Sequence, residues 1–533
     1  MALIGLLLGL TLPVPALADW RRAESDNFIV YAEMRQDRIR DYVLELERFD
    51  RTLRHLTRQQ GDFAPVKLRI LVLSDTDDVS AYGDGNYTGF YMADIRGPYA
   101  VVPKRGAGWG AFEIERREIL FYQYTHHFMA QYFPANYPAW YREGLAQLYS
   151  TVEFQRDGRI DVGRAARSIA NQLGMFERAG YWLPMRDLLS NVYPNSTLAY
   201  GEGWLLAHQA MFDPRLRREL GEYLNALHQG NSGREAYDQV FANRDPSLDQ
   251  QLREYLVGYS FPYVPMELDL GAIAEPTITV MSDAEAELAL LRGRPVEAME
   301  SDLQEALEDH PDNAQVYAEQ ARFLLGQGNF AEAREAADRA LAIAPDNIDA
   351  HLFAAQALIW LGVGDAASPH WGEARNHALQ ANRLDPDNAM ALVFYFLSYP
   401  DAAARPDNAL PALERAFALI PQNTAIRTIL GREYLDQGRY AEARRVVSAV
   451  AGSAYGDPYK DYAAILERLA SRELDISHAG DAIAEINAER EQRRAELGEM
   501  VAIDFLPQEP VSRFNHADWM WNSRRSLFQN RVP

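Results

Sequence analysis

At 533 residues the chain exceeds what one hydrophobic core holds, because cores split beyond roughly 250–300 residues, so two or three domains are expected. Hydrophobic residues make up 48%, with 28 Tyr and 9 Trp, which excludes a disordered chain. Lys and Arg number 53 against 76 Asp and Glu, and the net charge of −23, with no basic run to override it, argues against a nucleic-acid partner.

In chain order, residues 2–12 form an apolar run, followed by Pro13, Pro15 and the small-x-small triplet Ala16-Leu17-Ala18. The run is shorter than the roughly 20 residues that cross a bilayer, and it suits the h-region of a secretory signal, although a basic n-region is missing. Residues 1–18 are therefore read as a signal peptide cleaved after Ala18, and the protein is expected to be periplasmic or secreted. A buried N-terminal strand or helix is the alternative. The chain has no cysteine, which rules out disulfides, thiol chemistry, thiolate metal sites and the lipid-bearing Cys of a lipoprotein. No later segment has the length and apolarity of a membrane span.

Residues 19–260 mix strands and helices. "NFIVYAE" (27–33) and "VKLRILVLS" (66–74) are β-branched-rich strands separated by the amphipathic helix "DRIRDYVLELERFDRTLRHLT". "GFYMADIRGPYAVVPK" reads as a short hairpin whose second arm is 99–103, and helices follow at 112–132, 140–149 and several times between 164 and 255. Strands first and helices after predict an α+β domain. Residues 261–281 are expected to be a linker.

Residues 282–472 carry a helical repeat. Four similar segments align on Pro311, Pro345, Pro386 and Pro421, at spacings of 34, 41 and 35 residues. Within the best copy, Ala321 and Ala333 let two helices approach, Gly328 turns the chain, Ala340 packs on the next copy and Pro345 stops the second helix. A period of 34 with this pattern resembles the tetratricopeptide repeat, and four or five stacked copies are expected to hold a protein or peptide in their concave face. Residues 473–533 add a charged helix and a tail that concentrates Arg513, Arg524, Arg525 and Arg531 with Trp519 and Trp521. This tail is expected either to contact a partner groove or a membrane interface, or to fold back on the acidic surface of the chain itself.

The stretch with most chemical content is "YQYTHHF", 122–128, followed by "PAWYREGLAQLYS", 138–150. Positions i and i+4 share a helix face, so Tyr122 and His126 point the same way, and Glu143 follows His126 by 17 residues on a second helix. These two helices resemble the gluzincin peptidases of the peptidase MA-like type, whose first helix reads roughly H-E-Y-T-H-x-F and second W-x-x-E-G-L-A. The match falls on Tyr124, Thr125, His126 and Phe128, then on Trp140, Glu143, Gly144, Leu145 and Ala146. The resemblance implies a zincin-like α+β N-terminal domain ahead of an all-α tetratricopeptide-repeat solenoid. It also implies zinc ligands at His126 and Glu143.

Tyr122 stands where the family has its first ligand and Gln123 where it has its general base. A phenol with a pKa near 10 is a poor zinc ligand, and an amide takes no proton from water. Two ligands fall short of the three that catalytic zinc sites use. The neighbouring His127 lies about 100° around the helix and is expected to pack rather than to ligate. The expected reading is an exported binding or scaffold protein with a pseudo-metallopeptidase domain and no cofactor. The alternatives are an active zinc peptidase with an unconventional ligand set, and zinc binding without catalysis.

Overall fold

The computed structural model describes residues 19–59, 66–83, 87–133, 137–190, 197–229, 231–244, 246–451, 459–475, 478 and 482. The expected signal segment 1–18 and the tail with Arg513, Trp519, Trp521, Arg524 and Arg525 lie outside the described residues.

The N-terminal part opens with β1 (Trp20–Glu24), β2 (Phe28–Glu33) and the long helix α1 (Gln36–Thr57), then β3 (Leu68–Leu73), α2 (Thr76–Gly83), β4 (Phe90–Met92) and β5 (Tyr99–Pro103). Helices α3 (Arg116–Tyr132) and α4 (Ala139–Ser150) follow, then β6 (Glu153–Phe154) and β7 (Ile160–Val162). Five more helices, α5 (Arg167–Arg178), α6 (Met185–Leu189), α7 (Thr197–Phe212), α8 (Pro214–His228) and α9 (Gly233–Val240), lead to α10 (Leu248–Val257), β8 (Val264–Met266) and β9 (Thr277–Val280).

Six strands form one sheet in the order β4-β5-β3-β2-β1-β9, with β2, β3 and β5 parallel and the outer pairings antiparallel. The alternation of β2 and β3 sends Phe28, Val30, Leu68, Ile70 and Val72 to the face covered by α1 and α3, while Leu71 and Leu73 join Val79, Tyr82 and Phe90 on the other. Residues 261–281 are not a free linker. Their strands β8 and β9 complete the three-stranded sheet β6-β7-β8 and the edge of the main sheet, and Arg51 of α1 donates to the Leu270 and Ala272 carbonyls.

Beyond β9 the chain is helical: α11 (Asp283–Gly293) and α12 (Glu300–Asp309), α13 (Ala314–Gln327) and α14 (Phe330–Ile343), α15 (Ile348–Gly362) and α16 (His370–Leu384), α17 (Ala389–Leu397) and α18 (Ala409–Leu419), α19 (Thr424–Asp436) and α20 (Tyr440–Ala451), then α21 (Lys460–Ala470). The period has a local cause that the prolines only accompany. Asn313, Asn347, Asn388 and Asn423 each cap a first helix, their side chains accepting from the amides of Gln315, Ala350, Ala391 and Ile426. Gly328, at φ +79, ends α13 in the left-handed conformation that the turn requires. Ala321, Ala333 and Ala340 are fully buried, as close helix packing demands.

The inner helices of these pairs are not left open. In α15 nearly every residue is buried, whereas α14 and α16 bury one alanine-lined stripe each. The turn between β4 and β5 lies against the inner helices: Ile95 joins the array's own apolar core, and the Asn423 side chain donates to the Ala93 carbonyl at 2.9 Å. Arg96 pairs with Asp94 and donates to the Arg292 carbonyl. Burial works against the Arg96 charge, but Asp94, with Glu319 and Asp349 of the array behind it, more than offsets that and holds the proton firmly. Tyr82 and Tyr99 donate to the Leu290 and Gly293 carbonyls at the end of α11. The face expected to hold a partner thus already holds a segment of the same chain.

An Ile95→Asp variant places an unpaired charge in that contact and is expected to lose at least about 3 kcal/mol in urea unfolding. A change within about 0.5 kcal/mol would mean that the turn is not part of the core.

Candidate functional site

Helix α3 runs across the sheet, and its Phe121 stacks on Phe49 of α1 with ring centroids 3.8 Å apart, which fixes its rotation. That rotation sends Tyr122 and His126 away from the sheet toward α4, and His127 toward it. His127 is buried, with Nδ1 3.3 Å from the Tyr91 hydroxyl, and burial followed by the charge of Arg54 lowers its pKa to about 3. It is a neutral packing residue away from the site.

Helix α4 is pressed against α7. A Cβ on Gly144 would fall against the Gly203 carbonyl, and one on Gly203 against that of Trp140, so the two backbones cross in contact. This crossing pins Glu143, which is fully buried, against α3. The Tyr122 hydroxyl donates to Glu143 Oε2, and His126 Nε2 lies 3.7 Å from the same oxygen. The His126 and Tyr122 rings meet edge to face at 4.7 Å. The three positions singled out in the sequence therefore converge on one carboxylate oxygen. Gln123 does not join them: its amide nitrogen lies close to where a side chain on Gly89 would sit, just before β4, and its Oε1 is buried without a hydrogen-bond partner.

Three further groups on α3 and α7 were not legible; of these Tyr200 feels the Glu143 charge, while Glu202 meets the Leu183 amide and the charge of Asp249 instead. Glu118, one turn before Tyr122 on the same face of α3, has its pKa raised to about 7 by burial and by Glu115. Tyr200 of α7 has a buried hydroxyl with no hydrogen-bond partner, and burial and the Glu143 charge both raise its pKa. Glu202 is fully buried; burial brings its pKa to about 8, its Oε1 accepts from the Leu183 amide and its Oε2 has no partner, which suits a retained proton. The signal available for Tyr200 and Glu202 was "YGEGW", 200–204, whose two glycines flank the acid.

The donor set does not fit a catalytic zinc. His126 and Glu143 supply two ligand types, the third position is a phenol whose proton is engaged on the carboxylate, and Gln123 offers no base. Among the described residues no three His, Cys, Asp or Glu gather around a point that could hold a metal ion. What the arrangement can do is hold a buried carboxylate by a phenol, with an imidazole packed beside it, which fixes α3 to α4.

Two outcomes follow for stability. Tyr122→Phe strips a donor from the buried Glu143 and is expected to cost about 1–3 kcal/mol in chemical unfolding, whereas a solvated Glu143 would leave stability unchanged. Glu202 binds its proton up to about pH 8 in the fold but only to its ordinary 4.5 when unfolded. The native state thus holds more protons between those values, and stability falls as pH rises through them, by at most about 1.4 kcal/mol per pH unit. Unfolding midpoints measured at both ends of that window should show the slope in the parent and its loss in Glu202→Gln.

Residues 324–369 and 402–469 match the family model described as Tetratricopeptide repeat. Among solved structures, TTC0263, a thermophilic TPR protein of Thermus thermophilus, is 22% identical, with 34% of this chain and 98% of that chain covered, at a TM-score of 0.30. The Pseudomonas aeruginosa pilF protein is 19% identical over 40% of this chain and 97% of its own, also at 0.30. No curated protein matches the chain. The repeated helix pairs and the family match together identify the helical array as tetratricopeptide repeats, a type of module built to bind protein.

Proposed function

We propose that this chain is an exported protein-binding scaffold, in which tetratricopeptide repeats bind a protein or peptide partner and the N-terminal domain is a gluzincin-like pseudo-metallopeptidase. The observation that carries the second half is the Tyr122 hydroxyl on Glu143 with His126 Nε2 3.7 Å from the same oxygen. The spatial arrangement of the positions fits the family resemblance, while the side chains at the ligand and base positions cannot activate water. Export rests on the sequence of residues 1–18 alone. The Arg/Trp tail, 511–533, is proposed as a second contact with the partner or the envelope surface, since it is basic on an acidic chain. No helix among the described residues is long and apolar enough to cross a membrane.

A second reading, zinc held without peptidase chemistry, is favoured by one detail: His126 Nε2 is buried, has no hydrogen-bond partner and faces a carboxylate. The double variant Tyr122→His, Gln123→Glu tests the ancestry behind both. If His126 and Glu143 keep ligand geometry, it should bind zinc at one equivalent, reversibly to chelator, by titration calorimetry. A variant that folds and stays metal-free would remove Glu143 from the ligand set and the gluzincin resemblance with it.

A further inference from the structure

A cavity of about 860 Å³ opens where β2 and β5 end and α1 and α3 begin. This is the carboxyl edge of the parallel strands, the edge at which open α/β sheets place their ligands. Its volume lies within the range of small-molecule sites. Helix α1, 22 residues long, starts there with Arg35 at its N-cap and no side chain bonded to its free amides.

The wall is cationic on a chain of net charge −23, with six Arg or Lys against Glu33, Asp41 and Glu45. Most of the acids are already engaged. Arg40 pairs with Asp41 and Glu275, Arg35 with Asp37, and Glu45 takes one nitrogen of Arg116. Lys104 donates to the Glu33 carbonyl at 2.9 Å, leaving that residue's carboxylate as the opposing charge. Arg38 and Arg48 have no ion-pair partner among the described residues. Arg38 lies one turn before Tyr42 on the same face of α1.

The second, independent feature is buried and uncharged. Tyr42 is only 4% exposed and lines this cavity, and its hydroxyl oxygen meets the Arg116 guanidinium, a group that only donates, so the hydroxyl proton has no acceptor. The Arg116 guanidinium lies over its ring at 4.8 Å and is held between Glu45 and the Tyr42 hydroxyl, with Nη1 buried and making no well-aligned hydrogen bond. Buried donors of this kind are costly unless something accepts from them. Met34, Leu44 and Phe154 supply an apolar wall beside them.

We propose that this cavity binds an organic anion, a small molecule with an apolar body and a phosphate or carboxylate head, the head accepting from Tyr42 Oη, Arg116 Nη1 and Arg38. Glu45 orients Arg116 through its other nitrogen. The site is separate from the Tyr122–Glu143 contact and does not depend on the reading given to that contact.

Titration calorimetry on the full chain with phenyl phosphate tests it, with inorganic phosphate for the head alone and benzyl alcohol for the body alone. Saturable binding is expected for phenyl phosphate, weaker binding for inorganic phosphate and none for benzyl alcohol. Tyr42→Phe, which keeps the ring, and Arg38→Gln, which is on the surface, should each weaken binding about tenfold with unchanged circular dichroism. Binding to phosphatidylglycerol vesicles that is lost in Arg38→Gln would identify a lipid as the source of the same head group. No saturable heat up to about 10 mM, or equal binding by both variants and the parent, would overturn the proposal. Should Tyr42→Phe fail to fold, Arg38→Gln alone decides.

Discussion

The seating of the β4–β5 turn on the inner helices of the repeat array is the constraint from which the rest of the structure follows. A tetratricopeptide array alone presents its inner helices to solvent or to a ligand, and the inner helices here are too apolar to stay bare: "AMALVFYFL" in α17 has no polar face. The turn supplies one apolar plug, Ile95, and one ion pair, Asp94–Arg96, that sits among charged groups of α13 and α15. Gly97, at φ +110, lets the chain leave the plug without a side chain striking Val66 and Arg69. With Tyr82, Tyr99 and β9 holding the first array helix to the sheet, the α+β part and the array share a core.

This sharing bears on partner binding. A segment that would occupy the inner face must compete with a turn tethered to the same chain, whose effective concentration is high. Among the described residues the outer faces of α14, α16 and α20 carry no such occupant and expose Ile343, Leu384 and Tyr440 at their ends. The Tyr122–Glu143 contact has a similar logic on a smaller scale. The phenol closes the gap between α3 and α4, and the Gly144–Gly203 crossing keeps the carboxylate from retreating.

Legibility in the sequence followed the range of the forces involved. The repeats were readable because the signal is local: a proline at a fixed place in each copy and, in the best copy, two alanines at the helix contact and a glycine at the turn. The helices bearing His126 and Glu143 were readable because residue spacing along a helix fixes direction. By contrast, "TITV" in β9 and "VPM" in β8 read as linker, being too short and too exposed to signal strands, and only pairing with β1 and β7 defines them. The turn at 94–97 carried ordinary hairpin residues, and nothing local marks a segment as buried by another domain. Glu202 looked like any helix acid, since its raised pKa comes from the packing of α7 against α4 and α10 rather than from its neighbours in sequence.

Under the proposed function, His126 and Glu143 are the remnant of a zinc-peptidase site whose chemistry Tyr122 and Gln123 do not support. The most direct measurement is the metal content of the purified full chain by plasma mass spectrometry, taken together with cleavage of a general casein substrate with and without chelator. Zinc well below one equivalent and no chelator-sensitive cleavage are expected. Stoichiometric zinc with cleavage abolished by chelation would contradict the proposed function.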